Sequence, residues 1–185
     1  MSQQARVEID LKALPHVKAP ALRRLAEVWL ALRGPDLVIP PRRAFDPFAV
    51  PELAPKLWLC DYDPVERRFA YRLAGEHINR VYGRSIKGLD LSDVIPAAGY
   101  EIVRARYLEA VEAPAIVHTA GRVYVHSDRY QPGERLILPL ADDAGAARFV
   151  LGATIVSGDL DFPDPRDRRA DQVTVATALT RNAAA

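Results

Sequence analysis

Glu134-Arg135-Leu136-Ile137-Leu138-Pro139-Leu140 and, after the turn Asp142-Asp143-Ala144-Gly145, Phe149-Val150-Leu151-Gly152-Ala153-Thr154-Ile155 decide the fold of this 185-residue chain. Leu136, Leu138 and Leu140 recur at every second position of the first run, and Phe149, Leu151, Ala153 and Ile155 do so in the second. A period of two puts alternate side chains on one face of a strand. The spacing therefore predicts strands over 134–141 and 147–157, each with a single face to bury, joined as antiparallel neighbours by the Asp/Gly turn. Pro139 has no N–H to give a ladder, which predicts a bulge or an edge position at that point.

Working outward, residues 115–127 form a third strand candidate, linked to the decisive pair through Gln131-Pro132-Gly133. Before it, Tyr100, Val103, Tyr107 and Val111 mark one face of a helix over 96–113 that Pro114 stops. Further upstream, 57–63 and 67–74 read as a hairpin, with Phe69, Tyr71 and Leu73 alternating against Arg68, Ala70 and Arg72. Between hairpin and helix lie a short helix over 76–82 and a further turn over 88–95 with Asp90 or Ser92 as its cap. Residues 35–56 are a proline-rich connector in which Asp46-Pro47 is suited to open a short helix. A leading helix spans 21–33, with Leu22, Leu25, Ala26, Trp29 and Leu32 on its apolar face, and Gly34-Pro35 ends it. Residues 1–20 are predicted to be an arm ordered only by packing on the rest, and 158–185 a polar, solvated C-terminal tail. The order defines an α+β chain: five strands in one antiparallel sheet, with the helices on one face and an N-terminal flanking helix.

Composition narrows the function. With 25 basic against 24 acidic residues the net charge is +1, which gives no general electrostatic footprint for nucleic acid. Cys60 is the single cysteine, so an internal disulfide and a thiolate-rich zinc site are both excluded within one chain. No apolar stretch approaches the ~20 residues of a membrane span, and residues 1–10 carry no secretory apolar region; a soluble cytoplasmic protein is expected.

Motif chemistry is sparse. Gly83-Arg84-Ser85-Ile86-Lys87-Gly88 has the glycine offset of a phosphate loop, but Leu89-Asp90 stands where Lys-Ser/Thr is required. His118 and His126 lie eight residues apart in the third strand, on one face unless a bulge intervenes, where they could serve a ligand or simply be polar strand residues. Tyr71, Tyr82, Tyr107 and Tyr124 could ring a cavity with phenol hydroxyls, or be core aromatics whose hydroxyls reach the surface. Arg106, beside Tyr107, would favour an anionic ligand if it turns inward. Leu22, Leu25 and Trp29 can cover the chain's own sheet or form a dimer or partner contact with a second chain.

The runs Val28-Trp29-Leu30-Ala31-Leu32-Arg33-Gly34, Pro40-Pro41-Arg42-Arg43-Ala44-Phe45-Asp46-Pro47, Phe69 to Gly75, Tyr82-Gly83-Arg84 with Gly88, and Glu134 to Leu140 occur in an order that resembles small bacterial single-domain PAS proteins. The resemblance covers about 22–157 and implies a PAS fold whose sheet and helices around 76–111 enclose a cavity. It implies a sensory or adaptor role in signal transduction, without catalysis, through a small-molecule ligand, a protein partner, or a homodimer formed by the N-terminal helix. The ligand would meet Tyr71, His77, Tyr82, Tyr107, His118, Tyr124 and His126. Flavin photochemistry is not expected, because such PAS domains carry their cysteine on the helical side and Cys60 falls in the first strand. Haem is not expected either, since only His77 on the short helix could ligate iron; no metal site is predicted. The rival reading is a small α+β enzyme with a cone-shaped pocket, His118 or His126 as base and a tyrosine as acid.

Overall fold

The computed structural model describes residues 11–33, 37–126, 129–156 and 173–179. Helix α1 (Pro20–Arg33) leads, and short 3-10 turns over Arg42–Ala44, Pro47–Ala49 and Pro51–Lys56 cross the proline-rich connector. The Asp46 carboxylate accepts the Phe48 N–H at 2.9 Å, so Asp46-Pro47 opens a turn as the sequence predicts. The hairpin β1 (Leu57–Asp63) and β2 (Arg68–Ala74) follows, then α2 (Glu76–Val81), α3 (Leu91–Val94) and α4 (Ala97–Glu112). Asp90 caps α3 through the Ser92 N–H, and Asp93 answers by accepting the Asp90 N–H, a reciprocal pair that stops so short a helix from fraying. The strands β3 (Ala115–His126), β4 (Arg129–Ala141) and β5 (Ala147–Val156) complete the predicted five, but β4 starts at Arg129: Gln131-Pro132-Gly133, expected to link two strands, lies inside it and pairs with Tyr124, Arg122 and Gly121 of β3.

All strand pairs are antiparallel, in the order β2-β1-β5-β4-β3-β6. The sixth strand, β6 (Val173–Ala178), was not expected. It belongs to the stretch read as a polar tail, yet it pairs with β3 from Ala115↔Ala178 to Ala120↔Val173. Its residues are mostly exposed, which explains why no buried alternation announced it.

The predicted single-sided burial of β4 and β5 is corrected. Residues 133–140 of β4 are buried without interruption, and so is most of β5. One face of the sheet presents Leu57, Leu59, Ile116, Leu136, Leu138, Leu140 and Ala153 to α1 and its flanking turns. The opposite face presents Trp58, Cys60, Phe69, Tyr71, Val117, Ile137 and Val150 to α2, α3 and α4. The central strands thus serve two cores, and the sheet is the middle of three layers. Leu22, Leu25 and Trp29 are 0% exposed inside the first of these cores. Their area is spent on the chain's own sheet, so these three offer none to a dimer or partner contact.

Pro139 finds its physical account here. The bonded ladder between β3 and β4 begins at Val117↔Ile137 and does not extend to Pro139, which pairs with Val150 of β5 on its other side. The missing N–H therefore falls at a local edge, as predicted. Its carbonyl is satisfied from α1: the Trp29 indole N–H donates to the Pro139 oxygen at 2.8 Å. Two positions on, the Ala141 N–H donates to the Pro40 carbonyl at 2.9 Å, which lets the connector take over where β3 stops.

Candidate functional site

Between the sheet and α2–α4, three of the predicted tyrosines converge. Tyr71 on β2 and Tyr107 on α4 are buried, Tyr82 after α2 is half-buried, and together with Trp58, Ile78, Ile95 and Arg135 they line one cavity. The Trp58 and Tyr107 rings stack at 4.9 Å with 10° between planes, and Phe69 meets Tyr107 edge-on at 5.3 Å. The Tyr71 and Tyr107 hydroxyls bond to each other, and burial above all pushes both phenols well above their ordinary range. They stay protonated at any physiological pH. The room left among these side chains is ≈ 10 Å³, enough for about one water molecule.

The polar member the sequence reading missed is Arg135. It lies on β4 with 7% exposure, its Nε donating to Thr154 Oγ1 at 3.0 Å and its Nη2 to the Val123 carbonyl at 2.6 Å. It lies on the face of β4 opposite Leu136 and Leu138, a face the period of two by itself leaves unburied. Arg106, half-buried on α4, has its pKa lowered by burial first and by the nearby Arg135 charge second. Replacing Arg135 with alanine orphans the Thr154 hydroxyl and the Val123 carbonyl, so a loss of about 1–3 kcal/mol in urea unfolding is expected, larger than a surface arginine would give.

The remaining predicted residues lie elsewhere. His77 is half-buried on α2 and does not line this cavity. His118 is on the opposite face of the sheet, 2% exposed, with Nε2 at 3.0 Å from Glu134 Oε2. Glu134 is also buried, and its carboxylate accepts the backbone N–H of Lys18 at 3.0 Å and of Ala19 at 3.2 Å. The His118–Glu134 pair thus ties the start of α1 to the sheet and does not open on the tyrosine cavity. The side chains of Tyr124 and His126 lie outside the described residues. Their backbone shows a register shift between Arg122 and Tyr124. Cys60 is fully buried in β1, where burial raises its thiol well above the ordinary range and leaves it unreactive. Among the described residues no group of three or more His, Cys, Asp or Glu side chains could hold a metal ion, and no helix is long and apolar enough to cross a membrane.

Comparison with known proteins agrees with this architecture. The sequence model of the PAS domain matches residues 17–155, and the chain belongs to that family. Among solved structures it is similar to the LOV protein of Rhodobacter sphaeroides, at 19% identity over 57% of this chain and 61% of that one, with a TM-score of 0.44. It is also similar to a sensory box histidine kinase/response regulator from Burkholderia thailandensis, at 17% identity over 60% of this chain and 83% of that one, with a TM-score of 0.38. The match thus spans less than two thirds of the LOV protein. The search of curated proteins gives no match.

Proposed function

We propose that this chain is a non-catalytic sensory or adaptor PAS protein that passes its signal through contact with a protein partner. The observation that carries the reading is the core between sheet and helices, filled by Trp58, Tyr71, Tyr82 and Tyr107 to within the space of one water. A core packed so closely leaves little room between these side chains for a resident group unless they move. The enzyme reading with His118 as base is disfavoured, since the His118–Glu134 pair and Tyr71, Tyr82 and Tyr107 occupy opposite faces of the sheet.

A second reading, sensing of a small ligand, is favoured by one specific feature. A guanidinium and three phenols inside a core are costly to desolvate and are better explained by use than by packing alone. Entry would require Tyr82 and Ile95, both half-buried at the cavity's helical side, to move apart. In that state Arg135 would meet an anionic group, a carboxylate or phosphate.

Native mass spectrometry of freshly purified full-length protein separates these. The adaptor reading expects the bare chain mass or its multiples, and affinity capture should return one specific partner. A stoichiometric small molecule that leaves on Arg135→Met substitution would overturn it in favour of ligand sensing.

A further inference from the structure

The opposite face of the sheet holds a titratable cluster that the tyrosine cavity does not use. The His16 ring, in the segment preceding α1, lies over the His118 ring with centroids 5.0 Å apart and planes at 47°. Beneath them the Glu134 carboxylate is already occupied by three kinds of donor: His118 Nε2, the Lys18 N–H and the Ala19 N–H. Leu14, Val17 and Ala19, which alternate with these polar contacts, are buried in the core under α1. The side-chain hydrogen bonds from the sheet to Lys18 and Ala19 thus all come from this one carboxylate, beside the apolar burial of Leu14, Val17 and Ala19.

We propose that His16, His118 and Glu134 form a proton-operated latch that docks the N-terminal segment and the first turn of α1 on the sheet, and that a proton placed on His16 opens it. The reason lies in what surrounds His16. Its Nε2 is buried and has no hydrogen-bond partner, so a second N–H there would be a buried donor with nothing to bond. The charged and titratable groups that act on it are His118 from β3, Glu134 from β4 and Lys18 from its own segment, and Arg23 of α1 binds the same segment's backbone. The Lys18 ammonium donates to the Pro15 carbonyl at 2.9 Å, and the Arg23 guanidinium donates to the Val17 carbonyl at 3.2 Å, so both cations are held against the same short segment. The single facing acid, Glu134, has its oxygens directed at the latch itself.

Electrostatics point the same way. Burial first, and the His118 and Lys18 charges after it, hold the His16 pKa below its ordinary 6.5, against the opposing pull of Glu134. A histidine with a depressed folded pKa contributes docking stability in full above its ordinary value, and that stability is lost as pH falls through the folded value. Burial pushes Glu134 up, but the bonds from His118, Lys18 and Ala19 outweigh it and hold the carboxyl below its ordinary 4.5. The carboxylate therefore persists through the range in which His16 charges, and the imidazole acts first.

The test is amide hydrogen exchange by NMR on the full chain, corrected for intrinsic rates, following Lys18 and Ala19 against the β4 amides of Leu136 and Leu138. One proton taken up on opening changes the equilibrium up to tenfold per pH unit, so protection of Lys18 and Ala19 should fall about tenfold between about pH 7.5 and about pH 5, with β4 unchanged. His16→Phe keeps the ring and removes the proton site; it should fold, keep the segment docked and abolish the pH dependence. Glu134→Gln should lower protection of both amides at every pH. The latch is overturned if the wild-type amides keep constant protection, if β4 loses protection in parallel, or if His16→Phe titrates like the wild type.

Discussion

Trp29→Ala is expected to remove about 3–5 kcal/mol of stability, the typical cost of emptying a fully buried tryptophan site, before the orphaned Pro139 carbonyl is counted. Trp29 is 0% exposed beneath α1, and its indole N–H is the group that satisfies the Pro139 oxygen. Against a domain's net stability of about 5–15 kcal/mol this is a large share, and the whole α1 layer depends on it. Urea unfolding of Trp29→Ala beside Trp29→Phe separates the two contributions. Phenylalanine keeps most of the packing and loses the donor, so it should cost about 1–3 kcal/mol, the penalty for a buried unsatisfied carbonyl. Equal stability of wild type and Trp29→Phe would show that the Pro139 carbonyl has another partner.

Gly152→Ala is expected to cost about 3 kcal/mol or more, although it adds a single methyl group to a strand. Gly152 pairs with Trp58 across β1 and β5, and a Cβ at this position would stand 2.0 Å from Trp58 Cζ2 and 2.4 Å from Cη2. The ring has nowhere to retreat, because it is stacked on Tyr107 in the same core. Widening the site should relieve the strain: Trp58→Leu together with Gly152→Ala should be more stable than the sum of the two single losses predicts. A double-mutant cycle that adds within about 0.5 kcal/mol would remove the collision as the cause. The same pair of residues accounts for the closed cavity, since Trp58 reaches across the strand only because Gly152 yields the space.

Most of the element order was legible because its signals are local. The two-residue period of Leu136, Leu138 and Leu140, the stop at Pro114 and the caps at Asp46 and Asp90 act within a few neighbouring residues. Of the four tyrosines singled out, Tyr71, Tyr82 and Tyr107 meet under the helices, while the side chain of Tyr124 lies outside the described residues. Arg135 was missed. Alternation in β4 was read as one face for the core and one for water, and a charged residue on the second face raised no objection. Likewise β6 carries little buried area, so nothing in its residues marks it as a strand before β3 offers it a partner.

By itself the amino-acid order determined most of the strands and helices, β6 and the start of β4 excepted, and that α1 carries a face for burial. These follow from backbone sterics, caps and side-chain periodicity, which act over a turn or a few strand residues. Only the tertiary structure decided that both faces of the sheet are covered and that Trp29 meets Pro139. It also decided that Glu134 holds a segment 116 residues away in sequence at the Lys18 amide. Those outcomes depend on which surfaces close over one another, and burial is a property of the closed assembly of layers that no short stretch of chain contains.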